Sequence, residues 1–383
     1  MNILYDYQIF QSQKTGGISR YHADLYHGLS SKGINCNIGI KYSDNIYLKD
    51  CNISTDKPFH GWEHFLTHRY FKGKGTLAYW YSLLKPLKGS TELNREYIRS
   101  LLKKQKVDIF HPTYYDDIYD GIELPPMVLT IHDMIFESFP QYFNNLDVII
   151  NKYKLVQKAN RIIAISQYTK NELLKYYDFL PAESIDVVYH GIDLDIKFGI
   201  EKKKNINPYL LFVGNRGGYK NFYFLVEAMK KIHTQYKTLK LICVGPPFSD
   251  SEKKYLQFMH LDDVIIYYGR VDDITLASLY TNATMYVSSS LSEGFGLPLL
   301  EAMKYGTPML LSDIPVYKEI AKDSAIYFAP NSIDDFSMAL HIIFEDSQKR
   351  FEIINNGSKN VQTFTKDKML ENTYDVYKKT YQK

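Results

Sequence analysis

Twelve short apolar runs constrain this chain more than any other feature. They lie at residues 2–4, 34–40, 107–111, 126–132, 161–165 and 185–189, then at 209–214, 239–244, 264–268, 284–289, 308–312 and 325–328. Several are continuous instead of alternating, as in Leu210-Leu211-Phe212-Val213 and Leu241-Ile242-Cys243-Val244. A strand apolar on both faces must be covered on both, the condition inside a parallel sheet flanked by helices. Helical patterns fill the intervals, among them 18–32, 221–235, 297–305 and 333–344. This alternation predicts βαβ units and an open α/β sheet.

Two series of six strands predict two Rossmann-like domains, and 383 residues suit that number. The boundary falls at 195–207, where Lys202-Lys203-Lys204-Asn205-Ile206-Asn207 is mostly polar and runs into Pro208. The expected division is 1–195, 196–365 and a C-terminal helical stretch at 366–383. That stretch is aromatic and basic (Tyr374, Tyr377, Lys378, Lys379, Tyr381) and can pack back on the first domain.

Composition removes several classes. With 45% hydrophobic and 23% charged residues, the chain is neither disordered, collagen-like nor a coiled coil. No apolar run approaches the roughly 18 residues that span a bilayer. The first 30 residues carry Asp6, Arg20 and Asp24 and no long apolar stretch, so no signal peptide is expected. Three cysteines, Cys36, Cys51 and Cys243, are an odd number without metal spacing, which points to a reducing cytoplasm. A net charge of +3 leaves no nucleic-acid footprint. It also hides a local excess: residues 57–106 hold 11 Lys/Arg against three Glu, interleaved with Trp62, Phe65, Tyr70, Phe71, Tyr79, Trp80 and Tyr81. Such a stretch suits an anionic membrane surface or a lipid-linked acceptor. A helical insertion with a solvated basic face is the plainer alternative.

The chemistry-bearing segment is Ser292-Glu293-Gly294-Phe295-Gly296-Leu297-Pro298-Leu299-Leu300-Glu301. It follows a strand and opens a helix. Pro298 suits the first helical turn, and the glycines let backbone amides approach a ligand. A helix start favours phosphate, here at Phe295, Gly296 and Leu297. Glu293 and Glu301 can hold the paired hydroxyls of a sugar or ribose. Spacing alone also permits a glycine turn with two surface glutamates. Asp116-Asp117 and Asp272-Asp273 are adjacent pairs and not the spaced Asp-x-Asp of metal-dependent transferases, no Cys/His set has zinc spacing, and Leu299 occupies the third-glycine place of a dinucleotide fingerprint.

The same segment resembles the E-x7-E signature of retaining glycosyltransferases with the GT-B fold, family 4. Other stretches match in order: Gly16-Gly17-Ile18-Ser19-Arg20-Tyr21, Leu129-Thr130-Ile131-His132-Asp133, Ala159 to Ser166, Val187 to Asp193, and Phe212 to Asn221. The resemblance implies two Rossmann-like domains facing each other across a cleft, with no cofactor and no metal. It implies that Arg216 and Lys220 hold the diphosphate of a nucleotide-sugar donor. Glu293 would hold the sugar, Glu301 the ribose, and His132 would orient the sugar at the reacting carbon. Gly245, Arg270 and Val271 would lie near the base, and Gly16, Gly17 and Arg20 near the acceptor or a phosphate. His111 is a weaker candidate and His190 a structural one. The Phe212–Asn221 loop is similar to that of bacterial polysaccharide mannosyltransferases, which implies a GDP-mannose donor and a glycan or lipid-linked acceptor. A catalytically silent nucleotide-sugar binder on the same fold stays open, as do a glycoside phosphorylase and a nucleotide-sugar epimerase.

Overall fold

The computed structural model describes residues 1–61, 71–84, 87–116, 118–119, 121–143, 146–195 and 207–382. Trp62, Phe65, Tyr70, Asp117 and the 196–206 part of the expected boundary lie outside the described residues. All twelve apolar runs contain strands. The first six are β1 (Asn2–Tyr5), β2 (Asn35–Ile38), β3 (Ile109–His111), β4 (Val128–Ile131), β5 (Arg161–Ala164) and β6 (Ile185–Val187). The second six are β7 (Tyr209–Val213), β8 (Lys240–Val244), β9 (Ile265–Gly269), β10 (Met285–Ser288), β11 (Met309–Ser312) and β12 (Ile326–Phe328).

Every strand pairing is parallel. In the first half the orders are β2-β1-β3 and β4-β5-β6, and a bridge between Phe110 and Met127 joins the two sets. In the second half six strands run β12-β11-β10-β7-β8-β9. In each half the order reverses beside the first strand, between β1 and β3 and between β7 and β10. The carboxyl ends of such a pair diverge and leave a crevice, which is where open α/β sheets bind ligands. The loops after β1, β3, β7 and β10 therefore matter most.

The chain passes between the halves twice, and the two passes are stitched together. Ile192 pairs with Thr365, through Ile192 N–H to the Phe364 carbonyl at 3.0 Å and Lys366 N–H to the Ile192 carbonyl at 3.1 Å. After the second pass the helix Lys366–Tyr381 packs on the first half. Its Met369, Leu370, Val376 and Tyr377 join the core of β1, β3, β4 and β5. The Tyr377 hydroxyl lies 2.6 Å from His111 Nδ1 and 3.1 Å from the Tyr5 hydroxyl. Residues of β7–β12 and their helices pack in two further clusters, one on each face of the second sheet.

Candidate active site

At the β7/β10 crevice the two loops are laced together. Ser289 Oγ donates to the carbonyls of Lys220 and Asn221 at 3.0 and 3.1 Å, and Leu291 N–H to the Tyr219 carbonyl at 2.7 Å. Lys220 Nζ then meets Glu293 Oε1 at 2.5 Å. The same oxygen accepts from Ser290 Oγ at 2.7 Å and from the Tyr317 hydroxyl at 3.3 Å. Tyr317 is fixed in turn by Ser288 Oγ at 2.6 Å. Three donors thus converge on one carboxylate oxygen. Its Oε2 has no protein partner among the described residues, so it can accept from a ligand hydroxyl.

Gly296 caps the helix Leu297–Lys304 with φ of 98°, a left-handed conformation that glycine adopts without strain. The turn aims the first helical N–H groups into the crevice with Glu293 beside them. Anions are favoured there because the amides are unpaired and the helix dipole is positive at that end. Glu301, one turn on, accepts from the Tyr280 hydroxyl at 2.9 Å. Burial raises its carboxyl pKa, and Tyr280 and Arg20 oppose the rise. Arg20 comes from the other half, in the first turn of the helix Gly17–Ser31. Burial disfavours its charge, but Asp24, Glu301 and Asp273 more than compensate and raise its pKa.

Arg216 is placed differently from Lys220. Its guanidinium grips Glu252 (Nε to Oε1 2.8 Å, Nη2 to Oε2 3.3 Å) and the Pro247 carbonyl at 2.8 Å. It sits over the rings of Phe248 and Phe222 at 4.6 and 5.6 Å. The loop separates the two cations expected to act together. Only Nη1 of Arg216 lacks a partner among the described residues.

The first half faces this crevice closely. His132 directly follows β4, and its carbonyl oxygen would lie 1.8 Å from a Cβ on Gly294. Only glycine allows this approach. Ser166 Oγ and Thr169 Oγ1 hold the Gly294 carbonyl at 2.8 and 3.2 Å. Glu319 spans the halves as well, accepting from the N–H groups of Gln167 and Tyr168 at 2.6 and 2.8 Å. Near the glycine loop, a Cβ on Gly17 would touch Leu297 Cδ1 at 3.5 Å, and Arg270 Nη1 reaches Thr15 Oγ1 at 3.4 Å. Gly16, Gly17, Arg270 and Leu297 are therefore brought together across the cleft. Val271 is half-buried, and Phe295 turns its ring inward against Tyr189, His190 and Phe364. Only the backbone of Phe295 is left to face the crevice.

Several organising residues are invisible in the motifs. Asp6, buried after β1, accepts from Thr113 N–H at 3.0 Å and Gln8 Nε2 at 2.8 Å, and also binds the Thr113 and Tyr119 hydroxyls. It joins the loops after β1 and β3. Fully buried Lys152 bonds Glu137 at 2.9 Å and the Asp133 carbonyl at 3.1 Å, backing the turn after His132. The run Ser288-Ser289-Ser290, polar at the end of an apolar strand, was the available signal for the Glu293 cradle.

His22, His111, His132 and His190 form a buried cluster, with ring centroids 5.1 Å apart for His22–His111 and 5.9 Å for His22–His132 and for His132–His190. Burial lowers each pKa, to about 3 for His111 and about 4 for His190. Tyr5, Tyr21 and Tyr377 pack around them, and Lys152 adds to the depression at His132. These imidazoles stay neutral while an unfolded histidine titrates near pH 6.5. Below that pH the unfolded chain binds protons that the folded one does not. The histidine contribution is therefore whole above about pH 6.5 and is lost as pH falls toward the folded values, by about 2 kcal/mol per residue at pH 5. Neither ring nitrogen of His22 has a partner among the described residues. His22→Phe should shrink the stability lost between pH 7 and pH 5 by about that amount, measured by denaturant unfolding. Asp6, Asp133 and Glu301, whose pKa values are raised, act in the opposite sense in both proteins and cancel. An equal loss in parent and variant would refute the neutral assignment of His22.

Comparison with known proteins follows this geometry. A family model described as Glycosyltransferase Family 4 matches residues 15–196, and one described as Glycosyl transferases group 1 matches residues 194–360. The O-antigen chain mannosyltransferase RfbU of Salmonella typhimurium is 27% identical over 228 residues, 58% of this chain and 63% of that protein. The chain thus aligns with less than two thirds of that relative's length. An uncharacterized glycosyltransferase of Methanocaldococcus jannaschii is 27% identical over 300 residues, covering 73% and 77% of the two chains. The O-antigen chain mannosyltransferase B of Escherichia coli is 24% identical over 286 residues, covering 69% and 75%. Among solved structures, Anabaena Alr3699/HepE in complex with UDP-glucose superposes with a TM-score of 0.72 at 17% identity, covering 99% of this chain and 100% of that one. The sucrose-phosphate synthase of Thermosynechococcus elongatus does so with a TM-score of 0.72 at 17% identity, covering 99% of each. At that identity the superpositions speak for the fold alone.

Proposed function

The chain belongs to the family 4 glycosyltransferases, on the GT-B fold, and from that footing we propose that it transfers mannose from GDP-mannose to a hydroxyl of a glycan or lipid-linked acceptor with retention at the anomeric carbon. Residues 1–195 are the acceptor half and 196–365 the donor half, with 366–383 returning to the first. The observation that carries the reading is the pairing of Lys220 with Glu293 at the start of an anion-favouring helix. Glu293 holds the sugar hydroxyls, Glu301 the ribose, and Gly245, Arg270 and Val271 border the base. Lys220 and the amides at Phe295 to Leu297 take up the charge that grows on the leaving diphosphate. The bond from C1 to the diphosphate oxygen breaks on one face, and the acceptor oxygen bonds C1 on that same face. The acceptor proton passes to the departing phosphate oxygen. His132 orients the sugar, and Gly16, Gly17 and Arg20 border the acceptor. The scheme needs no cofactor and no metal.

The mannosyl assignment draws on the named mannosyltransferase relatives and on the Gly214–Asn221 loop. Purified protein incubated separately with GDP-mannose, UDP-glucose, UDP-N-acetylglucosamine and dTDP-rhamnose should release nucleotide diphosphate fastest from GDP-mannose. Faster release from another donor overturns the sugar assignment. No release from any, with GDP binding retained, favours the silent binder.

The acceptor reading extends to membrane. On the helix Lys74–Leu84, Leu77, Tyr79, Trp80 and Leu83 are 52%, 62%, 63% and 60% exposed. A cavity of about 850 Å³ beside that helix is lined by Gln11, Phe59, Tyr79 and Thr91, among others. Aromatic rings at headgroup depth and nearby lysines suit an anionic lipid surface carrying the acceptor. No helix among the described residues is long and apolar enough to cross a membrane. Protein should sediment with phosphatidylglycerol vesicles at low salt, and Trp80→Ser should weaken this several-fold; sedimentation indifferent to anionic lipid would end the membrane assignment.

A further inference from the structure

His190 was expected to be structural. Its surroundings give it a more specific task. Its ring lies parallel to that of His132, centroids 5.9 Å apart and planes 13° apart. It also meets Phe295, edge-on at 5.2 Å and 88°. Tyr21 closes the group, at 4.8 Å from His190 and 5.3 Å from His132, edge-on to both. His190 is 6% exposed, Phe295 3% and His132 5%.

The three rings come from three places. His132 directly follows β4 in the first half, His190 follows β6 just before the chain first passes to the second half, and Phe295 stands between Glu293 and the helix start. A lone histidine at a strand end has a broad second torsion, so its ring plane is poorly defined. His132 gains little help from hydrogen bonding, because its Nε2 is buried without a partner among the described residues. Among the described residues, ring packing against His190, Tyr21 and His22 holds its plane. One side of that packing is His190, and His190 is itself braced by a residue of the opposite half.

We propose that His190 is a positioning residue: it transmits the place of Phe295 to the ring plane of His132, so that His132 is oriented only while the two halves are closed on each other. This rests on the reading that His132 orients the donor sugar, and it adds the reason for that orientation. The rings of the cluster are neutral, so stacking and not charge carries the coupling. The inference therefore specifies an aromatic ring at position 190 and not an imidazole.

The test uses His190→Ala, His190→Phe and, as a reference, His132→Ala in the full chain. Crystal structures report the His132 ring plane, and release of GDP from GDP-mannose in water reports turnover. His190→Phe should keep the His132 plane and keep kcat within about threefold. His190→Ala should let the ring turn and lower kcat about tenfold with KM for GDP-mannose little changed, the split expected when an interaction made in the transition state is lost. An unmoved His132 ring in His190→Ala overturns the inference, whatever the turnover. Should His190→Ala fail to fold, His190→Phe still decides: a rotated His132 ring in that variant also overturns it. Unaltered turnover in His132→Ala, with the ring turned in His190→Ala, removes the sugar-orienting reading and leaves the coupling standing.

Discussion

On the proposed function, Lys220→Ala will lower kcat/KM for GDP-mannose by at least about a hundredfold, the scale on which single preorganised charge-stabilising groups act. The size of the effect follows from what cannot replace the ammonium. Arg216 lies four positions earlier in the same loop, yet Glu252, the Pro247 carbonyl and two phenylalanine rings hold its guanidinium. The helix start at Leu297 contributes partial charge only. The fold should survive, because Glu293 keeps Ser290 and Tyr317 when the lysine leaves. Lys220→Arg should restore little, since a planar fork does not fit where three donors already meet one oxygen. Steady-state release of GDP, beside a melting curve, reads both halves of this expectation. A variant within about threefold of the parent in kcat/KM would remove Lys220 from the leaving-group site.

Gly294→Ala carries the second large effect, and its origin is steric. The added methyl carbon would sit 1.8 Å from the His132 carbonyl oxygen and 3.1 Å from Asp133 Cβ. The first clash is with backbone, which has no rotamer to change. Either the end of β4 shifts, or the halves separate and release the Ser166 and Thr169 bonds to the Gly294 carbonyl. A shift of about 1 Å at a reacting centre costs about a hundredfold in rate, so kcat should fall by that order. Melting should change less, because the clash lies between the halves and both cores stay intact. A larger radius of gyration in small-angle scattering would mark separation. Full activity with unchanged scattering would show that the contact is not held during turnover.

Much of this architecture was legible because it is written locally. All twelve apolar runs contain strands; a continuous run such as that of β7 is buried along most of its length, whereas the edge strands β2 and β9 stay partly exposed. The helix Lys366–Tyr381 falls within the C-terminal stretch read as helical. Lys220 and Glu293, singled out through the family resemblance, are brought together in the structure, each close to a glycine of its own loop. Arg216 shows the limit. The same resemblance singles it out, but its partner Glu252 lies 36 residues away, and nothing local signals that engagement. The bonds from Glu319 to Gln167 and Tyr168 span 152 and 151 residues and are invisible for the same reason. In the sequence Asp6 is only a charge near the chain start, although it joins two loops more than 100 residues apart. Periodicity reports which face a residue buries. It does not report which distant side chain meets it there.

The returning helix sets a timetable for synthesis. The first six strands are complete at Val187, but Met369, Leu370, Val376 and Tyr377 belong to the same core. A ribosome adding roughly 5–20 residues per second needs on the order of ten seconds or more to cross that gap. Throughout that interval the emerging first half displays an uncovered apolar face, and the second half completes its own cores only at Phe364, just before the returning helix is made. Transcripts truncated before codon 366 should therefore yield products that are held by chaperones or degraded, although every motif of the second half has been made.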